Sequence, residues 1–212
     1  NDNCHAIGAK YGGIDYATKY ADIVTHSYHP VKNITTGEGG AVLTNNKKID
    51  ETIRVLRNHG LTGRNTCEIF SYNSRLDTIQ AVVARHMLSK IENISNRRIN
   101  NAKYLDLGLS DITNLALPKR DKNITQVYHL YMFECDSRDK LKEFLNINGI
   151  DGKVHYPVPM HLQPAAKIYN YKSGDFPVSE NACSRVISLP VHEFISKENL
   201  DYMISKIREF YK

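Results

Sequence analysis

Apolar runs in this 212-residue chain fall short of the ~20 residues that a membrane-crossing helix needs, and no signal peptide is visible. The chain is therefore expected in the cytoplasm. Cysteine is scarce: Cys4, Cys67, Cys135 and Cys183 lie far apart, with no metal-ligand spacing among them. They read as free thiols of a reducing compartment. His26, His29, His59, His129 and His192 have no carboxylate or cysteine at ligand spacing either, so no metal is expected. A block of like charge is also absent. Lys and Arg number 28 and Asp and Glu 23, interspersed, and a net charge of +5 does not require nucleic acid. Repeats and low-complexity tracts are lacking, as is an initiator Met. With 41% hydrophobic and 24% charged residues, the chain has ordinary globular composition and length for a proper core in one domain or two.

Against that background one stretch carries chemistry: Ser27-Tyr28-His29-Pro30-Val31-Lys32, followed by Asn33-Ile34-Thr35-Thr36-Gly37-Glu38-Gly39-Gly40. An amine that must react with an aldehyde cofactor such as pyridoxal phosphate is best held on a turn, near donors for a phosphate. Lys32 has such a place between two short apolar runs, Ser27 supplies a hydroxyl, and the glycines permit close backbone approach. Taken alone, Lys32 reads better as a surface lysine in a Gly-rich hairpin. The chain opens with Asn1-Asp2-Asn3-Cys4-His5-Ala6-Ile7-Gly8-Ala9. There Asp2 offers the carboxylate that keeps a pyridinium nitrogen protonated, so that the ring can accept electrons.

Together, Asp2-x-x-His5-Ala6, Ser27 to Lys32 and Gly37-Glu38-Gly39-Gly40-Ala41-Val42 resemble the sugar aminotransferases of the DegT/DnrJ/EryC1/StrS family. The later motifs Arg57-Asn58-His59-Gly60, Tyr72-Asn73-Ser74-Arg75-Leu76-Asp77 with Ile79-Gln80-Ala81, Tyr128-His129-Leu130-Tyr131 and His155 to Pro164 are similar to that family's, in its order. Several separated motifs in order are more specific than any one. The resemblance implies an α/β chain of the aspartate aminotransferase-like fold type I, here the end of the large domain plus the C-terminal small domain. It implies Lys32 as the residue that holds pyridoxal phosphate and then moves a proton as acid and base, with Asp2 at the ring nitrogen. His5 would approach the ring oxygen, Ser27 the phosphate, and Asn73 the phosphate in a neighbouring subunit, giving a homodimer with shared active sites. Tyr156 and His161, from Tyr-x-x-Pro-x-His-x-Gln, would lie beside the sugar. For His5 a packed core histidine, for Ser27 a hydroxyl bonding its own strand end, for Asn73 a turn-stabilising role, and for Tyr156 and His161 aromatic packing stand as alternatives.

The same resemblance implies transfer of an amine from glutamate to a nucleotide-linked keto-deoxy sugar for surface glycans. The Tyr28 to Gly40 stretch looks most like enzymes acting at C4 of a UDP-linked 4-keto-6-deoxy amino sugar, of the pseudaminic-acid type. A branch that dehydrates sugars lacks the lysine, so Lys32 favours transfer; a dehydratase is the alternative enzyme. The chain begins where that family's large domain is half complete. A fragment, a split enzyme paired with a separate N-terminal half, or a truncated product is expected, lacking part of the active site.

Patterning places strands at 21–28 and 39–44, a short helix through Ile49, Ile53, Val55 and Leu56 ending near Gly60, and a loop over 61–75. One long helix is expected from Leu76 to about Leu107, then an irregular hinge through Gly108 to Asn123. Beyond it come a strand over 127–133, a helix over 137–148, a strand over 152–156 and helices over 179–185 and 198–211. The expected domains are residues 1–115, bearing the cofactor, and 116–212, a small α/β domain.

Overall fold

A computed structural model describes residues 1–15 and 17–212. The chain divides into two compact units, residues 1–96 with 121–129, and residues 97–120 with 130–212.

In the first unit, β1 (Lys10–Tyr11) and β2 (Ile14–Asp15) form a tight hairpin. Its edge pairs with the later β8 (Ile124–Thr125). Next, β3 (Val24–Ser27) pairs antiparallel with β4 (Gly40–Leu43), so the two strands expected from β-branched content enter and leave the lysine turn. On its other side β3 takes the chain start in parallel: the Asn3 N–H donates to the Thr25 carbonyl at 2.9 Å and the Thr25 N–H to the Asn1 carbonyl at 3.0 Å. Helix α1 (Lys47–Leu56) starts at Asn46, whose side-chain oxygen accepts the N–H groups of Lys48 and Ile49, two of the donors a helix start leaves unpaired.

The expected loop over 61–75 contains a hairpin instead, β5 (Leu61–Gly63) with β6 (Thr66–Cys67). Its register shifts between Leu61 and Gly63, which hides the alternation from a pattern search. The single helix expected over 76–107 is two, α2 (Thr78–Leu88) and α3 (Ile91–Leu109). Apolar spacing runs on across the join, but the Ser89 hydroxyl donates to the His86 carbonyl and the Lys90 N–H to Met87, closing α2 early. Ile7, Tyr28, Ile34, Ala84 and Ile94 form this unit's core, covered by Leu76, Met87 and Ile91.

The second unit builds a sheet in the order β10 (Val186–Leu189), β9 (Tyr131–Cys135), β7 (Leu115–Ala116), antiparallel throughout. Helices α4 (Arg138–Ile147) and α5 (Pro177–Arg185) pack on this sheet, and α6 (Lys197–Phe210) packs on α4. Tyr131, Phe133, Leu141, Leu145, Ile187 and Ile207 are almost wholly buried between them. The strand expected over 127–133 begins later because Tyr128 turns the backbone at φ 48. The strand expected over 152–156 shrinks to one bridge, Lys153 with Ser188, because Tyr156 adopts φ 58 and leaves the ladder. Pro177 at the first helical position starts α5 two residues early, and β10, which follows α5 directly, escaped the pattern. Two short 3-10 turns, Met160–Leu162 and Pro164–Tyr169, fill the Pro-containing loop.

Gly60 ends the first helical passage at φ 74, and a Cβ there would collide with the Ile69 backbone carbonyl. Gly63 has open space around it. Gly60→Ala is therefore expected to cost more than about 1 kcal/mol, a fall of at least ~2–4 °C in thermal midpoint, while Gly63→Ala shifts it far less. Thermal unfolding of the two variants checks this.

Candidate active site

Lys32 follows β3 and is fixed through its neighbours. Its own N–H donates to the His29 carbonyl at 3.0 Å. Asn33 and Ile34 are buried, and Asn33 donates from Nδ2 to the Val127 carbonyl at 3.0 Å. Both the Thr35 hydroxyl and the Thr36 N–H donate to the Tyr28 carbonyl, at 2.9 and 3.1 Å. Gln80, in the first turn of α2, completes a capping box with Asp77 and donates from Nε2 to the carbonyls of Glu38 at 2.6 Å and Thr36 at 3.3 Å. One side chain thus ties the start of α2 to the far side of the lysine turn. Lys32 itself is half-buried.

Because residues 1–3 run parallel to β3, both segments end at the same edge, where open α/β sheets place their ligands. Asp2 lies on that edge, exposed, and accepts the Cys4 N–H at 3.0 Å. The thiol and N–H of Cys4 hold its carboxyl below the ordinary 3.8, and the charges of His5 and Lys32 pull the same way. Asp2 and Lys32 are therefore within electrostatic reach of one another. Burial, joined by the Asp2 side chain, raises the Cys4 thiol, so it stays protonated. His5 is exposed, its ring tilted over that of His129 with centroids 4.3 Å apart, and it borders a cleft of about 630 Å³ with Ala9, Tyr11, Tyr20 and Val127. Neither Asp2 nor Lys32 lines that cleft.

Ser27 Oγ accepts the His29 N–H at 3.3 Å and keeps its own proton to donate. Asn73 is exposed; its oxygen accepts from Arg75 Nε at 3.0 Å, and its amide nitrogen remains a donor. Tyr156 and His161 are brought together on a second cleft of about 340 Å³, in the second unit, with Met160, Phe176 and Cys183. The Tyr156 ring is exposed, whereas the His161 side chain is only 8% exposed and meets Glu180 at 3.0 Å. The sequence alone assigned no role to Gln80, Asn33 or Glu180. Gln80 alone carried a signal, the Asp77-x-x-Gln80 spacing of a capping box. Among the described residues no group of three His, Cys, Asp or Glu could hold a metal ion, and the four cysteines are free.

A model of the DegT/DnrJ/EryC1/StrS aminotransferase family matches residues 1–208. The chain belongs to that family. Its similarity extends to the dTDP-3-amino-3,4,6-trideoxy-alpha-D-glucose transaminase of Streptomyces venezuelae, 33% identical over 210 residues, 99% of this chain and 55% of that protein. Among solved structures, S. venezuelae DesV in complex with a ketimine intermediate matches with a TM-score of 0.94 at 32% identity, covering 99% of this chain and 57% of that one. The putative sugar aminotransferase Spr1654 of Streptococcus pneumoniae, in its PLP form, matches with a TM-score of 0.90 at 25% identity, covering 98% and 56%. The chain thus spans somewhat more than half the length of the relatives it matches, and its fold is that of the fold type I aminotransferases. Pyridoxal phosphate is the cofactor these likenesses support. The donor set fits it: an amine for the aldehyde, an ionised carboxylate for the ring nitrogen, and a hydroxyl and an amide for the phosphate.

A carboxyl whose folded pKa is depressed lends stability that is present above its unfolded value and lost as pH falls through the folded one. Acidification from pH 5 through values below 3.8 is therefore expected to release the Asp2 contact, with Cys4 amide exchange, corrected for its intrinsic pH dependence, rising in step. In Asp2→Asn that step is expected to disappear. Amide hydrogen exchange across this range checks it.

Proposed function

We propose that the chain carries the pyridoxal-phosphate chemistry of an aminotransferase that moves an amine from glutamate to a nucleotide-linked keto-deoxy sugar. The observation that carries this is the half-buried Lys32, pinned on its turn, with the ionised Asp2 at the same sheet edge within reach of its charge. When bound, the cofactor supplies an electron sink for the carbon that loses or gains a proton. Lys32 Nζ would hold the cofactor through its aldehyde carbon, and the free amine would move a proton from the donor's α-carbon to the cofactor carbon and, in reverse, from the cofactor carbon to the acceptor carbon. Asp2 would keep the ring nitrogen protonated, His5 would face the ring oxygen, and Ser27 would donate to the phosphate. Asn73 donates to the phosphate of a second copy, which makes the protein a homodimer. Support for that pairing is the run of exposed apolar side chains near Asn73, with Phe70 100% and Tyr72 84% exposed, together with Ile79 and Val82 on α2.

Tyr156 and His161 would contact the sugar from the second cleft. For the acceptor, the Tyr28 to Gly40 motif supports a UDP-linked 4-keto-6-deoxy amino sugar on a route to surface glycans, while the S. venezuelae relative makes, by its name, a dTDP-linked 3-amino sugar. No helix among the described residues is long and apolar enough to cross a membrane.

Mixing the purified chain with pyridoxal phosphate, reducing with borohydride and mapping peptides by mass is expected to find one adduct, on Lys32, absent from Lys32→Ala. Scattered labelling, or none, would overturn the reading for this chain alone. In assays with glutamate and both 3-keto and 4-keto nucleotide sugars, Lys32→Ala is expected to lose at least ~10²-fold in rate.

A further inference from the structure

Glu180 is the most heavily engaged carboxylate of the second unit. It sits in the first turn of α5 and accepts the Gly174 N–H at 2.9 Å, the Phe176 N–H at 3.3 Å and the Ser173 hydroxyl at 3.1 Å. Its Oε1 also meets His161 Nε2 at 3.0 Å. Four partners nearly fill the lone-pair sites of a carboxylate. The Gly174 N–H foremost, with His161, Ser173 and Phe176 adding to it, holds its carboxyl below the ordinary 4.5. Glu180 therefore stays ionised and can only accept.

That fixes the chemistry of its partner. A histidine facing an ionised carboxylate through Nε2 must carry its proton there, and the neutral ring then has a bare Nδ1. The ring is clamped: Phe176 lies with its centroid 4.7 Å away and Tyr171 meets it edge-on at 6.5 Å. No contact to Nδ1 ties it to another group of the described residues, and His161 lines the cleft it shares with Tyr156.

We infer that Glu180 is a positioning residue that holds His161 in the Nε2–H form, so that Nδ1 stands in the Tyr156 cleft as an acceptor for a hydroxyl or amide N–H of the substrate sugar. The inference rests on the reading that Tyr156 and His161 face the sugar, and it adds the polarity of the contact. A sugar presenting only acceptors at that point would be refused, since an acceptor set against an acceptor leaves both unpaired.

Nitrogen-15 resonances of the His161 ring in the full chain report the proton's place directly. The neutral wild-type protein is expected to show Nε2 protonated and Nδ1 bare, and Glu180→Gln a mixture of the two forms, with circular dichroism unchanged. Wild type with Nδ1 protonated, or a ring insensitive to Glu180→Gln, overturns the inference whatever the substrate. Titration of the pyridoxal-phosphate-treated protein with UDP-N-acetylglucosamine is expected to shift Nδ1, and Glu180→Gln to weaken that response about tenfold. An unshifted Nδ1 beside a correct tautomer would instead sink the sugar contact of His161, and with it the positioning role. Retained binding in Glu180→Gln with a mixed tautomer would sink the positioning role alone.

Discussion

The two hydrogen bonds that lay residues 1–3 parallel to β3 are the constraint on which the rest of the site depends. Antiparallel pairing would carry the chain after Asp2 back along β3, away from the turn after Ser27. Parallel pairing delivers both segments to one edge. There the Cys4 thiol and N–H foremost, with the charges of His5 and Lys32 adding to them, lower the carboxyl's affinity for its proton. The proposed chemistry asks for that arrangement: an acid group that stays ionised near neutral pH, together with an amine free to bond carbon.

Holding the lysine's backbone still is a separate task, and it falls to residues with no reactive role. Asn33, Thr35 and Gln80 converge on the turn from three directions, and Ile34 and Tyr28 seal its underside in the core. The amine is thus mobile only through its own side-chain torsions. The reaction proposed for Lys32, in which one amine bonds, leaves and returns, would benefit from such a fixed root, because the entropy of placing it has been removed in advance.

How much of this was legible in the sequence differs by element. The strands around Lys32 announce themselves through β-branched residues, and α1 through its apolar period and Asn46 cap. The nearness of Asp2 and Lys32 was not readable from composition or period; it follows from a parallel pairing between segments more than twenty residues apart, and only the likeness to a known family suggested it. The α2–α3 break hid because hydrophobic spacing continues through Ser89 and Lys90 while the hydrogen bonds do not. In the second unit the Val154-His155-Tyr156 run has strand-forming side chains, yet the φ of one residue removes it from the sheet. Glu180 escaped notice because its partners lie on a loop with no period at all.

Tyr156 shows what that backbone angle means for the evolution of the chain. A tyrosine at φ 58 is a poor thermodynamic choice, on the order of 1–3 kcal/mol worse than relaxed backbone, and glycine or asparagine would be more at ease there. Its ring gains little by burial, since it remains 69% exposed. Selection for durability alone would therefore remove the aromatic, so position 156 is a place where a more robust fold and a furnished cleft are competing ends.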